Sequence, residues 1–304
     1  MHHVAAWDWE FEGGAGIYAP HSSGYARRDL IGRATGSVHT DVGLHRLAPS
    51  GSVDRHVHSF ETCAYVLGGR PAVSVGERSY RLRAGDFVLF PVGNAHGWWN
   101  DEPDEARWIE IATPLPAPSP HLAGGADTLF LPAAPRAAQP EAPDIGNPMT
   151  TLVGRYAGTP PQQEALAVDG PARGRGPAGM DTALLAYSGI SVKMMVDSTL
   201  GADLLTMFMV DYEPGGAAQV HDHPFEEVYF FLEGEIEGEV DGEVRTYRAG
   251  EVLFCGVGVV HGFFNSGEGR VRWIETQAPQ PPRRHSYRWP AHWKHLADQL
   301  STDR

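Results

Sequence analysis

No apolar stretch in this 304-residue chain is long enough to span a bilayer, and its start, Met1-His2-His3-Val4, shows no basic segment followed by an apolar run. Neither a membrane anchor nor a signal peptide is therefore expected. Cysteine is nearly absent. Two residues, Cys63 and Cys255, do not make a disulfide framework, so the expected setting is cytoplasmic and both thiols read as small buried hydrophobes. Basic charge is scarce as well: 24 Lys and Arg stand against 38 Asp and Glu, for a net charge of −14. Such a chain is repelled by phosphate backbones and anionic bilayers, which argues against nucleic acid and membrane as partners. No helix-turn-helix pattern is apparent. What the chain does have is 42% hydrophobic residues, enough for one large domain or two ordinary ones.

The chain is one pattern written twice. At an offset of 165 residues His56 answers to His221, His58 to His223, Gly85 to Gly250, His96 to His261 and Asn100 to Asn265. The run Arg107-Trp108-Ile109-Glu110 returns as Arg272-Trp273-Ile274-Glu275. Compared without gaps, residues 46–114 and 211–279 are identical at 22 of 69 positions, concentrated at Gly, His and turn residues, so a duplication is the economical explanation.

Each copy has a β texture. Short runs such as Phe87-Val88-Leu89-Phe90 and Val228-Tyr229-Phe230-Phe231-Leu232 lie between Gly-rich turns. Asp241-Gly242 between two alternating stretches predicts a hairpin, and Gly76-Glu77 fills the same place in the first copy. Many short strands at close spacing predict an all-β chain of two tandem barrels. The expected division is an N-terminal arm and first barrel over 1–118, a Pro/Ala/Gly-rich linker over 119–180, and a second barrel with a short C-terminal helix over 181–304. Thirteen prolines in 114–177 support the linker. Met149 to Val153 could add an edge strand to a barrel. Trp7, Trp9, Phe11 and Tyr18 mark the first 35 residues as an arm packed on a barrel. His285, His292 and His295 fall in the C-terminal helix and read as surface or packing residues.

The second copy places Gly215, His221, His223, Glu227 and Gly234 in one run, then Gly250, Gly256, Gly258, His261 and Asn265 in another. Residues two apart on a strand face one side, so His221 and His223 project together. Glu227 starts the next strand past Pro224, and His261 follows a second glycine-flanked turn. Three imidazoles and a carboxylate suit a divalent transition metal.

These two runs resemble the paired cupin motifs, G-x5-HxH-x3-E-x6-G and G-x5-P-x-G-x2-H-x3-N. The second copy departs only at Gly256, where the family usually has Pro. The match covers both halves and implies two tandem jelly-roll cupin barrels, similar to bicupins such as quercetin dioxygenases, oxalate decarboxylases and ureidoglycine aminohydrolases. It implies one divalent metal per working site, with Fe, Mn or Ni favoured and Zn an alternative. By analogy with bicupins, a homo-oligomer is expected.

The first copy keeps Gly85, Pro91, Gly93, His96 and Asn100, and also His56, His58 and Gly69, but Ser50 replaces the first glycine and Thr62 stands where Glu227 does. Three readings stay open: Glu61 swings in as fourth ligand beside His56, His58 and His96; the site is a three-histidine centre such as some cupin dioxygenases have; or it is structural and metal-poor.

Strand parity places Tyr229 and Phe231 inward with Glu227, Phe263 with His261, and Gln219 with His221. Met207 and Met209 line the cavity if their parity is the inward one. Gln219, Met207, Met209, Phe231 and Phe263 are thus the expected substrate contacts in an apolar pocket, against the alternative that they are ordinary core. Tyr229, Gln219 and Asp222 or Glu226 are its polar handles. No basic residue faces these ligands, which counts against a dianion such as oxalate; Arg272 is an exception only if it turns inward, and its twin Arg107 points to a shared structural role. The leading expectation is a dioxygenase-type oxidoreductase using O2 on a small apolar or aromatic oxygen-bearing substrate. The resemblance to flavonol-cleaving cupins implies Glu227 as the base, and Tyr229 is the candidate acid. The alternatives are a non-redox hydrolase, lyase or isomerase, and a small-molecule-binding protein without catalysis.

Overall fold

The computed structural model describes residues 1–7, 11, 16–117, 127–132, 136, 139–144, 148–156, 187–198 and 200–280. The C-terminal helix expected over 285–300, Trp9 and most of the linker lie outside these residues. Among the described residues no helix is long and apolar enough to cross a membrane.

The strands are β1 (His2–Ala6), β2 (Ser22–Ile31), β3 (Asp41–His58), β4 (Glu61–Gly68), β5 (Ala72–Val75), β6 (Arg78–Arg81), β7 (Asp86–Phe90), β8 (His96–Trp99), β9 (Ala106–Thr113), β10 (Thr128–Phe130) and β11 (Val153–Arg155). They continue as β12 (Tyr187–Val196), β13 (Thr206–His221), β14 (Glu226–Glu233), β15 (Glu235–Val240), β16 (Glu243–Arg248), β17 (Glu251–Cys255), β18 (His261–Phe264) and β19 (Val271–Ala278). One sheet runs β7-β4-β9-β3-β8-β5-β6 and the other β17-β14-β19-β13-β18-β15-β16, the same path. The ladders keep the 165-residue offset: Thr62 lies opposite Phe90 and Ala112, and Glu227 opposite Cys255 and Gln277. The two jelly-roll barrels expected from the repeat are present.

Local chemistry explains the turns. Asp241 and Gly242 both take positive φ (50° and 82°) between Val240 and Glu243, as a two-residue hairpin of the right-handed twist requires. Ser50 holds φ 62° where its counterpart Gly215 holds 77°, so the first barrel keeps the turn without the glycine. The edge strand foreseen at Met149–Val153 forms slightly later: Pro148–Thr150 is a 3-10 turn, and β11 docks on β7 with Arg155 bonded to the buried Asp86.

The barrel interiors correspond pair by pair. Leu47, Ala64, Val66, Leu82, Trp98 and Trp108 in the first answer to Tyr212, Tyr229, Phe231, Tyr247, Phe263 and Trp273 in the second. Four of these six positions carry a larger side chain in the second barrel, while Trp98 answers to the smaller Phe263 and Phe90 to Cys255. The offset also reaches upstream of the repeated motifs. On β2, which pairs with β3, Tyr25, Arg27 and Asp29 lie opposite Leu47, His45 and Gly43. Their counterparts on β12 are Ile190, Val192 and Met194, packed on the second core.

The linear division at 118 and 180 is exchanged at its ends. Met1–Trp7 belongs with the second barrel and Met195–Thr206 with the first. β1 pairs along β17, the edge that β11 covers in the first barrel, with Met1 O accepting from Gly256 N at 3.0 Å. That bond accounts for the motif's one departure: proline at 256 would have no N–H to give. A segment far away in sequence can cover an edge as well as a near one, so chain order does not reveal this assignment.

Candidate metal centres

In each barrel the long β3 or β13 carries the His-x-His pair, and its ladder breaks register just before it (Val53 to His56, Ala218 to His221). The third histidine opens β8 or β18 directly opposite: His96 pairs with His56 and His261 with His221. His56, His58 and His96 form one buried group whose ligand atoms all lie within 4.8 Å of one another, and His221, His223 and His261 form another. Asn100 and Asn265 hold the turn beyond the third histidine by donating to Asp104 O (2.7 Å) and Gly269 O (2.8 Å).

All six rings are oriented by Nδ1. His56, His96, His221, His223 and His261 bond backbone carbonyls of Asp54, Asn94, Gln219, Phe225 and Val259 at 2.7–3.1 Å. His58 bonds the Thr128 hydroxyl at 2.9 Å. A ring that donates Nδ1–H to a carbonyl presents the Nε2 lone pair, the form a metal takes. Phe60 stacks on His58 (4.2 Å), Phe90 on His96 (4.0 Å) and Phe225 on His223 (4.0 Å), fixing the ring planes. Burial lowers the pKa of His56 to about 4 and pushes those of His58, His96 and His221 below the usual imidazole range, so these rings are neutral near pH 7.

The first group is a three-histidine set. Nε2 of His58 and of His96 is buried without a hydrogen-bond partner, as is the hydroxyl of Thr62 at the ladder position of Glu227. Orphaned lone pairs converging on one point fit a cation. Glu61, expected as an alternative fourth ligand, is engaged elsewhere. Its carboxylate accepts from the backbone N–H groups of Asp203, Leu204 and Leu205 at 2.8–3.1 Å. One residue's difference in parity puts it on the opposite face from Thr62.

Tyr18 meets both His56 (5.4 Å) and Tyr25 (5.3 Å), and Tyr25 opens a polar cluster in the same barrel. Tyr25 Oη meets His45 Nδ1 at 2.8 Å, His45 stacks on Trp108, and Arg27 is paired with Asp29 and Asp41. A Cβ on Gly43 would stand 2.8 Å from Arg27 Nε, so the glycine admits the guanidinium. Trp108 Nε1 donates to Glu110 at 3.2 Å, and burial pushes the Glu110 carboxyl up to about 7. A cleft of ≈ 570 Å³ is lined by Gly16, Ile17, Pro20, His21, Thr128 and Phe130, among others. Thr128 bonds His58, and the Phe130 ring stands 5.5 Å from that of His56. None of Tyr25, Arg27, His45 or Glu110 was singled out by the sequence reading. The offset of 165, carried back to the paired Gly24 and Gly189, could have found the β2 residues.

Beside the second group stands the expected carboxylate. Glu227 Oε2 lies 2.7 Å from His223 Nε2 and 3.2 Å from His261 Nε2, and Gln277 Nε2 donates to Oε1 at 2.7 Å. The neighbouring imidazoles hold Glu227 well below the usual carboxylate range in spite of burial, which acts the other way. Tyr229 donates to Glu227 Oε2, and its Oη is 2.8 Å from His261 Nε2. Phe231 and Phe263 lie in the same core, as parity predicts. Met207 and Met209 do not: β13 gives Phe208, Val210 and Tyr212 to that core, so the methionines are buried on the opposite face. Gln219 contributes its carbonyl to His221. Arg272 bonds Asp211 at 2.7 Å.

Residues 43–112 and 208–276 each match the Cupin domain family. The chain is a bicupin. This bicupin is similar in fold to a salicylate 1,2-dioxygenase from Pseudaminobacter salicylatoxidans (16% identity, 99% of this chain and 86% of that one, TM-score 0.67). It is also similar to a variant of Bacillus subtilis oxalate decarboxylase (16%, 92% and 80%, 0.58). At these identities the likeness is one of fold. Two curated relatives match in part: polyketide synthase CurC of Streptomyces cyaneus (33% over 88 residues, 29% of this chain and 56% of the relative) and germin-like protein subfamily 2 member 2 of Arabidopsis thaliana (27% over 117 residues, 32% and 53%). The bicupin spans about half the length of each.

Proposed function

We propose that this bicupin is a metal-dependent oxidoreductase of dioxygenase type, acting on a small aromatic or enolic substrate that carries two neighbouring oxygens, and that it works at His56, His58 and His96. The observation that carries this reading is the cleft beside that group, whose lining residues Thr128 and Phe130 touch His58 and His56. The cleft has the size of a small-molecule site. Iron, manganese or nickel held by three neutral imidazoles would keep its full positive charge and leave positions for two substrate oxygens and for O2.

The protein's own groups suit that task. Tyr18 and Phe130 meet His56 edge-on and at a tilt (5.4 and 5.5 Å), an apolar flank for a planar ring. Glu110, with its pKa near 7, sits on the inward face opposite Ala64, two residues along the ladder from Thr62, and can take a proton from a substrate hydroxyl. A variant of a salicylate 1,2-dioxygenase of similar fold has been solved in complex with gentisate, an aromatic ligand of this general kind.

A second reading puts the chemistry at Glu227 and Tyr229, as base and acid of a hydrolase, lyase or oxygenase. The contact of Tyr229 with Glu227 favours it. Oxygen uptake by metal-loaded protein across hydroxybenzoates, catechols and enols tests the first reading. Substrate-dependent uptake is expected, and turnover unchanged without O2 would remove it.

A further inference from the structure

We infer that Tyr229 is a fifth protein ligand of the second centre, closing it as His221, His223, Glu227, Tyr229 and His261. The inference rests on metal binding by that donor set and is independent of the reaction proposed for the first barrel.

Three relationships carry it. The first is distance. Glu227 Oε2 stands 2.7 Å from His223 Nε2 and 3.2 Å from His261 Nε2, Tyr229 Oη stands 2.8 Å from His261 Nε2, and Tyr229 touches Glu227 Oε2. Neighbouring donors around an ion with bonds of ~2.1 Å lie about 3 Å apart. Tyr229 thus belongs to the cluster of donors rather than to a layer behind it.

The second is orientation. His223 and His261 spend Nδ1 on the carbonyls of Phe225 and Val259, so each turns Nε2 toward Glu227. The Tyr229 hydroxyl lies between Glu227 Oε2 and His261 Nε2. Two ring nitrogens, a carboxylate oxygen and a phenol oxygen thus meet in one buried place, where a cation could be shared among them. On binding, the phenol O–H breaks, its proton goes to solvent, and the oxygen's electron pair is shared with the ion.

The third is charge. Val210, Phe231, Leu253 and Phe263 pack this interior. A divalent ion enclosed by apolar groups is costly unless anions match it. Glu227 and a Tyr229 phenolate supply two negative charges. In the first barrel the two positions are Thr62 and Ala64, which supply none, and there a cleft is lined by Thr128 and Phe130, the neighbours of His58 and His56. The two barrels thus differ: the first centre has a neutral donor set beside a cleft, and the second has a donor set whose charge would balance a divalent ion.

The test uses full-length protein loaded with ferric iron. A phenolate-to-iron charge-transfer band in the visible, with tyrosinate modes enhanced in resonance Raman, is expected. Tyr229→Phe should abolish the band while keeping iron that His223→Ala loses, and Tyr18→Phe should leave the band in place. A band that survives Tyr229→Phe would overturn the inference. A crystal structure of the unmutated protein soaked with zinc gives a second readout, independent of any variant: Oη within about 2.2 Å of the ion at the second centre is expected, and a separation beyond about 3 Å would overturn it.

Discussion

Thr62 occupies in the first barrel the ladder position that Glu227 occupies in the second. This exchange replaces a neutral side chain with an anionic one beside the histidines, and the next inward position changes with it, from Ala64 to Tyr229. Thr62→Glu should therefore make the first centre resemble the second. Chelator-resistant metal at that centre is expected to rise, and kcat/KM for a chelating anionic substrate to fall several-fold, because the added carboxylate occupies a position and cancels charge. Unchanged metal retention would show that residue 62 does not face the ion.

Glu61 serves the backbone. Glu61→Ala leaves the N–H groups of Asp203, Leu204 and Leu205 without their acceptor, and at ~1–3 kcal/mol for a buried orphan the expected loss of stability is about 3 kcal/mol in total. Metal content at the first centre should stay the same. Denaturant titration with metal analysis checks both, and a stable variant that loses metal would restore Glu61 as a ligand.

Glu110 gives a pH signature. Its carboxyl titrates at about 7 in the fold, against ~4.3 in an unfolded chain. Across that interval the folded state keeps a proton the unfolded state has lost, so this group makes stability fall as pH rises toward 7 and level off above it. Glu110→Gln should remove that slope. The check is the difference in Tm between the wild type and the variant as a function of pH, and a difference independent of pH would contradict it.

The exchanged N-terminal strand predicts a local effect. Gly256→Pro removes one hydrogen bond to Met1, worth ~1 kcal/mol. Deleting residues 1–7 bares the Val252-Leu253-Phe254 edge of β17 and should promote self-association. Light scattering and thermal melts report both, and a monomeric deletion variant of unchanged Tm would mean β1 is dispensable.

The duplication, the hairpin at Asp241-Gly242 and the histidines of both sites were legible in the sequence, because turn glycines and metal ligands tolerate few substitutes. Tyr229 and Phe231 followed from a parity of two along a short strand. That rule could not settle Met207 and Met209, since a register shift between Ala218 and His221 separates them from the ligands. The polar cluster of Tyr25, Arg27 and His45 was hidden for another reason. β2 and β12 keep the offset, but their side chains have diverged from charged to apolar, so little similarity is left to notice. The working centre was expected at the complete donor set. We propose the incomplete one instead, because a cleft lies beside that group and Tyr229 stands among the donors of the complete set.

The account turns on which barrel does the work. Substrate-dependent oxygen uptake should be measured in His96→Ala and His261→Ala, each shown to be folded and to lose about one metal ion per chain. The account predicts that His96→Ala abolishes uptake and His261→Ala retains most of it. Full activity in His96→Ala with none in His261→Ala would contradict it.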